Sequence, residues 1–508
     1  MAKTEKWFKS EKTRLFLLVI LSAAVRIFFL LNYESMPENA TESVVRALSI
    51  IENPSFALNF NGNYSIFFNY AIASFMFFWH DPFLAPRVFT LIFGVLLVFP
   101  YYGVLKILFD RRIAFFSSFV LVFYPLHIIQ SGTATVEAVF YFFLFASFYY
   151  FFKFRNGQGQ KSALWLSVLL FNMASLMRLE SWLFIPLFFF LLWPKGKGTA
   201  FQFLILSMVF PCLWLLLNQV TYQNFLLTFK NAAITANKEI AGGTVSYDPG
   251  VFSWLVVLWR SSGPSLVIGG LLGVLFSFLS RKKFELALFF LALLLTLTIN
   301  SCATRMWHNE RYSIVLGLLL IPYAWFFVDK ALTFLDGSKK LFFLLFLIFP
   351  AIDTWQIIQK PNTTMPHMLN LMTEDINNVA RWLKKNVRQN ETLIIGADRF
   401  DVFSSYIMLR GEITPSTRCL TVRNAEPVPF FKSKEEFERC IWFGRPKYLV
   451  LNSESDLQKV LNFKLDQKKQ RLGDISFEVA FEQDGAGFGK YIIYRISYPE
   501  SSGGGEDA

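Results

Sequence analysis

Apolar residues in the first two thirds of this chain run on for stretches approaching 20 residues, the length a helix needs to cross the hydrocarbon core of a bilayer. The runs cover about 15–32, 86–105, 113–130, 135–152, 162–178, 181–194, 199–218, 263–280, 284–300, 313–328 and 341–358, and they predict eleven membrane-spanning helices. A further apolar stretch, Tyr64–Trp79, is greasy enough to cross. Counting it would reverse the side of every later loop, so it is expected to lie along the outer surface. With the N-terminus inside, the basic clusters Lys3–Arg14, Lys106–Arg112, Lys153–Lys161, Lys195–Lys197, Arg281–Lys283 and Lys330–Lys340 all fall on the cytoplasmic side. The first run is too long for a cleavable signal peptide and is expected to remain as an anchor.

The pattern changes abruptly near Pro361–Pro366. Amphipathic segments at 374–388, 433–442 and 455–464 then alternate with short β runs at 392–396, 447–451, 475–482 and 490–496. This predicts a separate α/β domain over 366–498, followed by a solvated tail, 499–508. The expected fold is a polytopic α-helical membrane protein with a C-terminal extracytoplasmic α/β domain. The transmembrane module would span residues 1–360, with outer loops at 33–85 and 219–262. The second loop contains Gly242-Gly243 and Asp248-Pro249-Gly250, which read as a flexible flap.

Composition agrees with a membrane protein. Of 508 residues 54% are hydrophobic and 17% charged, 61 are phenylalanine, and the mean hydropathy is +0.41; a soluble chain of this size cannot bury so much apolar side chain. The net charge of +12 raises the question of nucleic acid. Residues 1–365 hold 29 Lys+Arg against 17 Asp+Glu, and residues 366–508 hold 20 of each. The excess therefore sits in short loops between apolar runs, which is a topology signal and not a phosphate-binding face. Cys212, Cys302, Cys419 and Cys440 have no metal-ligand spacing; Cys419 and Cys440 read either as a pair or as free core thiols.

Ionisable residues at the ends of spans are costly to place in lipid and so carry functional hypotheses. Four groups qualify, all on the outer side by this topology. Glu42, with Glu34 and Glu38 nearby, reads either as a general base at the membrane surface or as a charge favoured at a helix N-terminus. Glu137 follows His127 at the start of a span and needs a partner or a wet cavity; its alternative is again an N-terminal helix charge. Arg178 and Glu180, two residues apart, point to different faces of a helix and are not expected to pair with each other. Arg178 reads as a phosphate ligand or as an interfacial side chain snorkelling to headgroups. Arg305, His308, Glu310, Arg311 and Tyr312 crowd the entry to a late span. Guanidinium forks there suit a phosphate, with anionic lipid or local pairing to Glu310 as the alternatives. Arg26 and Arg87, inside or at the start of spans, are expected to snorkel or to pair structurally, and His127 reads either as lining the same mouth as Glu137 or as a structural histidine.

In order along the chain these features resemble the GT-C glycosyltransferases, in the branch of protein O-mannosyltransferases and the aminoarabinose transferase of lipid A. Asn63–Trp79 is similar to the branch's juxtamembrane helix, and Pro86-Arg87-Val-Phe-Thr-Leu-Ile-Phe-Gly94 to its Arg-Leu-Pro-Ser-x-Leu-Phe-Gly stretch. Tyr124-Pro125 through Glu137 resembles the second acidic motif, Met177-Arg178-Leu179-Glu180 the Thr-Arg-Pro-Glu type turn, and His308 through Tyr312 the basic entry to a late span. The Asp-Glu pair usual in the first loop is not present, so either Glu42 or Glu38 takes its place.

The resemblance implies inverting transfer of a sugar from a polyprenyl-phosphate donor to an acceptor hydroxyl of a glycan, lipid or protein on the extracytoplasmic face. Glu42 or Glu38 and Glu137 would be the catalytic carboxylates, and Arg178, Arg305, His308, Arg311 and Tyr312 would hold the donor phosphate. A need for a divalent metal is left open. The rival classes are a lipid-linked sugar transporter, which would place paired charges at mid-membrane and repeat one half in the other, and a non-catalytic assembly scaffold.

Overall fold

The structure is a computed structural model that describes residues 10–33, 36–52, 66–231, 233–234, 252–280, 283–304, 310–334, 348, 352–353, 356, 374–388, 391, 393–396, 433–453, 455–484 and 490–499. The chain divides into two compact units, one of residues 1–33 and 47–370, the other of residues 34–46 and 371–508.

The first unit opens with α1 (Glu11–Asn32); α2 (Glu38–Glu52) follows and straddles the division. Next come α3 (Ile66–Phe78), α4 (Leu84–Leu96), α5 (Val98–Leu108), α6 (Arg111–Val122), α7 (Pro125–Gly132), α8 (Val136–Arg155) and α9 (Lys161–Met177). A 3-10 turn, Leu179–Phe184, leads to α10 (Ile185–Leu192), α11 (Lys197–Ser207) and α12 (Val209–Tyr222). After these are α13 (Ser253–Ser262), α14 (Pro264–Leu279), α15 (Glu285–Thr304) and α16 (Glu310–Phe334).

Among the described residues six helical stretches are long and apolar enough to span a bilayer, or seven if α6 and α7 count as one broken span; α3, α9 and α14 are shorter apolar helices. The protein is an integral membrane protein. Most of the run at 341–358, and 232 and 235–251 of the loop expected at 219–262, lie outside the described residues; the described ends of that loop are helical, in α12 as far as Tyr222 and in α13 from Ser253.

Prolines interrupt what the hydropathy reads as continuous. A proline lacks the N–H that would bond four residues back and clashes with that carbonyl. The hydrogen-bond ladder is accordingly interrupted at Leu97 ahead of Pro100 and at Met208 ahead of Pro211, although both residues keep helical torsions and each stretch runs on as one apolar span. The expected single span at 113–130 is broken: Tyr124, preceding Pro125, is extended (φ −68°, ψ 112°), and α6 and α7 meet at a 55° bend.

Phenylalanines knit the helices. Phe151 and Phe188 have ring centroids 4.4 Å apart and Phe148 and Phe289 4.9 Å, which joins α8, α10 and α15. Between α14 and α16 the backbones approach closely: a Cβ on Gly273 would stand 1.9 Å from the carbonyl oxygen of Tyr323, whereas one on Gly270 would meet the Leu320 side chain. Backbone cannot rotate aside and a leucine can. Gly273→Ala is therefore expected to lower the melting temperature of detergent-purified protein more than Gly270→Ala does, by a destabilisation of about 1–3 kcal/mol for overpacking. Equal shifts for the two variants would contradict this packing.

Ion pairs collect the helix ends that the loop charges group together. Lys106 and Arg111 pair with Glu11 at 2.5 and 3.4 Å, Arg155 with Glu285 at 3.1 Å, and Lys283 with Asp110 and Arg112 with Asp329 both at 3.8 Å.

The second unit contains α17 (Glu374–Asn386), β1 (Leu393–Gly396), α18 (Lys434–Gly444), β2 (Tyr448–Asn452), α19 (Asp456–Leu461), β3 (Lys469–Leu472), β4 (Ile475–Asp484) and β5 (Lys490–Ser497). The sheet order is β1-β2-β5-β4-β3, with β1 parallel to β2 and the other pairs antiparallel. Ser433 and Ser455 cap α18 and α19 by accepting from the backbone N–H of Glu436 and Gln458. β2 is buried along its whole length, as a central strand covered on both faces requires. Strand β3, Lys-Gln-Arg-Leu, lies at the sheet edge and buries only Leu472, so it carries no apolar alternation by which to read it from sequence.

Candidate active site at one end of the helical bundle

The N-terminus of α8, the C-terminus of α9 and the N-terminus of α16 come together at one end of the first unit. Helix α9 stops at Met177 because the chain turns extended at Arg178 (φ −150°, ψ 134°). There the Ser181 hydroxyl donates to the Arg178 carbonyl (2.9 Å) and to Ser175 Oγ (3.0 Å), giving the backbone an alternative to the helix. Entry to α8 needs a left-handed residue, Ala134 (φ 59°), after which Thr135 is extended and Glu137 falls in the first helical turn.

These turns place Arg178, 2% exposed, against Glu137, which has no exposure. Nη1 of Arg178 donates to Glu137 Oε1, Nη2 donates to Glu180 Oε1, and Nε donates to both oxygens of Glu180 at 3.2 Å. The expectation that Arg178 and Glu180 would not pair is overturned. It assumed helical spacing, and Arg178 is extended while Glu180 lies in a 3-10 turn. Arg178 does not snorkel either, since its guanidinium is buried between two carboxylates. The partner that Glu137 requires is Arg178.

Tyr312, at the start of α16, lies under both neighbouring cations, with the Arg178 guanidinium carbon 5.0 Å and that of Arg311 5.3 Å from its ring centroid. Tyr141, one turn beyond Glu137 on α8, donates to the Arg311 carbonyl at 3.2 Å. Arg305 and His308 lie outside the described residues, as do Glu34, His367 and Cys419.

A second polar group adjoins the first. Arg26, fully buried on α1, donates to Ser22 Oγ (2.7 Å), the carbonyls of Ser22 and Val122 (both 3.3 Å), Ser131 Oγ (3.3 Å) and His127 Nδ1 (2.6 Å). Gly94 makes the room: a Cβ there would stand 2.2 Å from Ser131 Oγ. His127, on the wholly buried α7, has its ring centroid 6.1 Å from that of Tyr141. Arg87 donates to the carbonyls of Gly132 (2.7 Å), Leu30 (3.3 Å) and Tyr33, closing the ends of α7 and α1. Neither arginine snorkels: Arg87 is drawn inward by carbonyls at helix ends, and Arg26 by serine hydroxyls, two carbonyls and the His127 ring. Sequence reading left Tyr141 and Ser131 unmarked, although Tyr141 stands four residues from Glu137 on the same helix face.

Glu38 and Glu42 lie on α2, in the part that groups with the second unit. The Glu42 side chain is half exposed and pairs with Arg46 one turn on. Among the described residues no group of three or more His, Cys, Asp and Glu side chains is placed to hold a metal ion. His127 cannot ligate one through Nε2: Arg26 is always a donor, so Nδ1 accepts and Nε2 carries the proton.

A family model described as dolichyl-phosphate-mannose-protein mannosyltransferase matches residues 63–221, which include Arg87, His127, Glu137 and Arg178. No curated protein matches the sequence. Among solved structures, ArnT from Cupriavidus metallidurans bound to undecaprenyl phosphate superposes with a TM-score of 0.60 at 12% identity, covering 98% of this chain and 100% of that one. The Archaeoglobus fulgidus oligosaccharyltransferase with Zn and sulfate gives 0.52 at 13% identity, covering 87% of this chain and 68% of that one. AglB from Archaeoglobus fulgidus with an inhibitory peptide and a dolichol-phosphate gives 0.51 at 12% identity, covering 88% and 70%. The chain thus shares the fold of these solved structures, the GT-C membrane fold.

Proposed function

We propose that this protein transfers a sugar from a polyprenyl-phosphate donor to an acceptor hydroxyl on the extracytoplasmic face, with inversion at the anomeric carbon. The observation that supports it most is the buried Glu137–Arg178–Glu180 cluster with Arg311 and Tyr312 beside it. Such a set of fixed charges at the end of a lipid-embedded bundle suits an anionic lipid donor. ArnT binding undecaprenyl phosphate and AglB binding a dolichol-phosphate support the class of donor. In the reaction the acceptor oxygen bonds the anomeric carbon as the bond from that carbon to the phosphate oxygen breaks. The acceptor proton passes to a carboxylate, which we assign to Glu42, and the polyprenyl phosphate leaves as an anion.

Arg178 already gives its donors to two carboxylates, so its role is to hold Glu137 and Glu180 in place. Arg311, stacked on Tyr312 and half-buried, is the described guanidinium best suited to the departing phosphate.

Membranes containing the protein are expected to move radiolabelled sugar from a polyprenyl-phosphate donor onto an acceptor. A lipid transporter would carry the donor across without cleaving it, and a scaffold would do neither. Arg311→Ala is expected to raise the dissociation constant for polyprenyl phosphate about tenfold to a hundredfold, the range for one charge-assisted hydrogen bond. Unchanged affinity would remove Arg311 from the phosphate site.

A further inference from the structure

From two buried polar atoms that nothing among the described residues satisfies, we infer that His127 and Glu137 together bind one hydroxyl of the transferred sugar. His127 would donate to it from Nε2 and Glu137 would accept from it on Oε2. The inference rests on the glycosyl-transfer reading and names a specificity element within it.

Both atoms are buried and have no hydrogen-bond partner among the described residues: Nε2 of His127 and Oε2 of Glu137. Each is left over for a definite reason. Arg26 occupies Nδ1 of His127 at 2.6 Å and can only donate, so the neutral ring must carry its proton on Nε2. Arg178 occupies Oε1 of Glu137, which leaves Oε2 as a bare acceptor. The protein thus fixes one donor and one acceptor, and fixes them by two separate arginines. A hydroxyl is the group that accepts once and donates once, so it answers both.

The two residues flank one ring. His127 packs beside Tyr141, with centroids 6.1 Å apart, and Glu137 stands one helical turn before Tyr141 on α8. Arg26 is a positioning residue here: it sets the tautomer of His127 without touching the substrate. Its own charge is satisfied by serine hydroxyls, carbonyls and the imidazole, and among the described residues no carboxylate pairs with it.

The test uses full-length protein in membranes. Wild type is first screened for transfer from polyprenyl-phosphate hexoses and pentoses. The active sugar is then supplied with its hydroxyls removed one at a time. His127→Asn keeps an oxygen for Arg26 to donate to but loses the distal N–H. With the intact donor it is expected to lower kcat/KM about tenfold or more. With one particular deoxy donor, wild type and His127→Asn are expected to be equal within about twofold, because the hydroxyl they would differ over is gone.

A deficit that persists undiminished for every deoxy donor assigns the pair to a structural water and overturns the inference, as does a wild-type kcat/KM in His127→Asn. In both cases wild-type transfer still stands and with it the proposed function. Absence of transfer by wild type from any donor overturns the function and this inference together. If His127→Asn fails to fold, Glu137→Gln read across the same donors carries the test.

Discussion

Arg178→Met is expected to cut sugar transfer by at least about a hundredfold and to destabilise the folded protein by about 3–5 kcal/mol, the cost of removing one partner from a buried ion pair. The reason is charge accounting in a dry site. Arg178 serves Glu137 and Glu180 at once, and Glu137 has no exposure through which water could replace the lost donors. The double variant Arg178→Met/Glu137→Gln removes the stranded carboxylate along with its counter-ion. It is expected to regain most of the melting temperature lost by Arg178→Met and none of the transfer activity. Recovery of activity in the double variant would show that the pair serves stability alone; a single variant as stable as wild type would show that the carboxylates are not buried charges at all.

Glu42→Gln gives the opposite separation. Transfer is expected to fall by about a hundredfold to ten-thousandfold, the range over which a general base contributes, while folded protein in the membrane is retained. Glu42 is half exposed and its contact is with Arg46 one turn away, an exposed pair that contributes a few tenths of a kcal/mol. Radiolabel transfer and size-exclusion of the same preparation report the two quantities. Turnover that survives in Glu42→Gln would move the base to Glu38, one turn earlier on α2.

Set beside one another, the two variants distinguish kinds of acid. Glu137 is expected to matter to folding and to chemistry because lipid-buried charge has to be answered by charge. Glu42 is expected to matter to chemistry alone because solvent already answers it.

The membrane-spanning class, the joining of a helical part to an α/β part, and most of the ends of helices and strands were determined by the sequence alone. A run of apolar residues has a single use in water or lipid, and serine caps and alternating strands act through neighbours in the chain. Glu137, Arg178, Arg311 and Tyr312 were also legible as candidates, since a charge at the end of an apolar run stands out by position. What they do to one another was not legible. The pairing of Arg178 with Glu180 depends on an extended residue where helical spacing seemed to apply, and its pairing with Glu137 joins residues 41 apart. The broken span at Tyr124-Pro125 and the burial of Arg26 against His127 are of the same kind. Hydropathy sums side chains one by one, whereas the cost of a buried charge or an orphaned carbonyl is settled only by which other helix end arrives beside it, and that is a property of the tertiary structure.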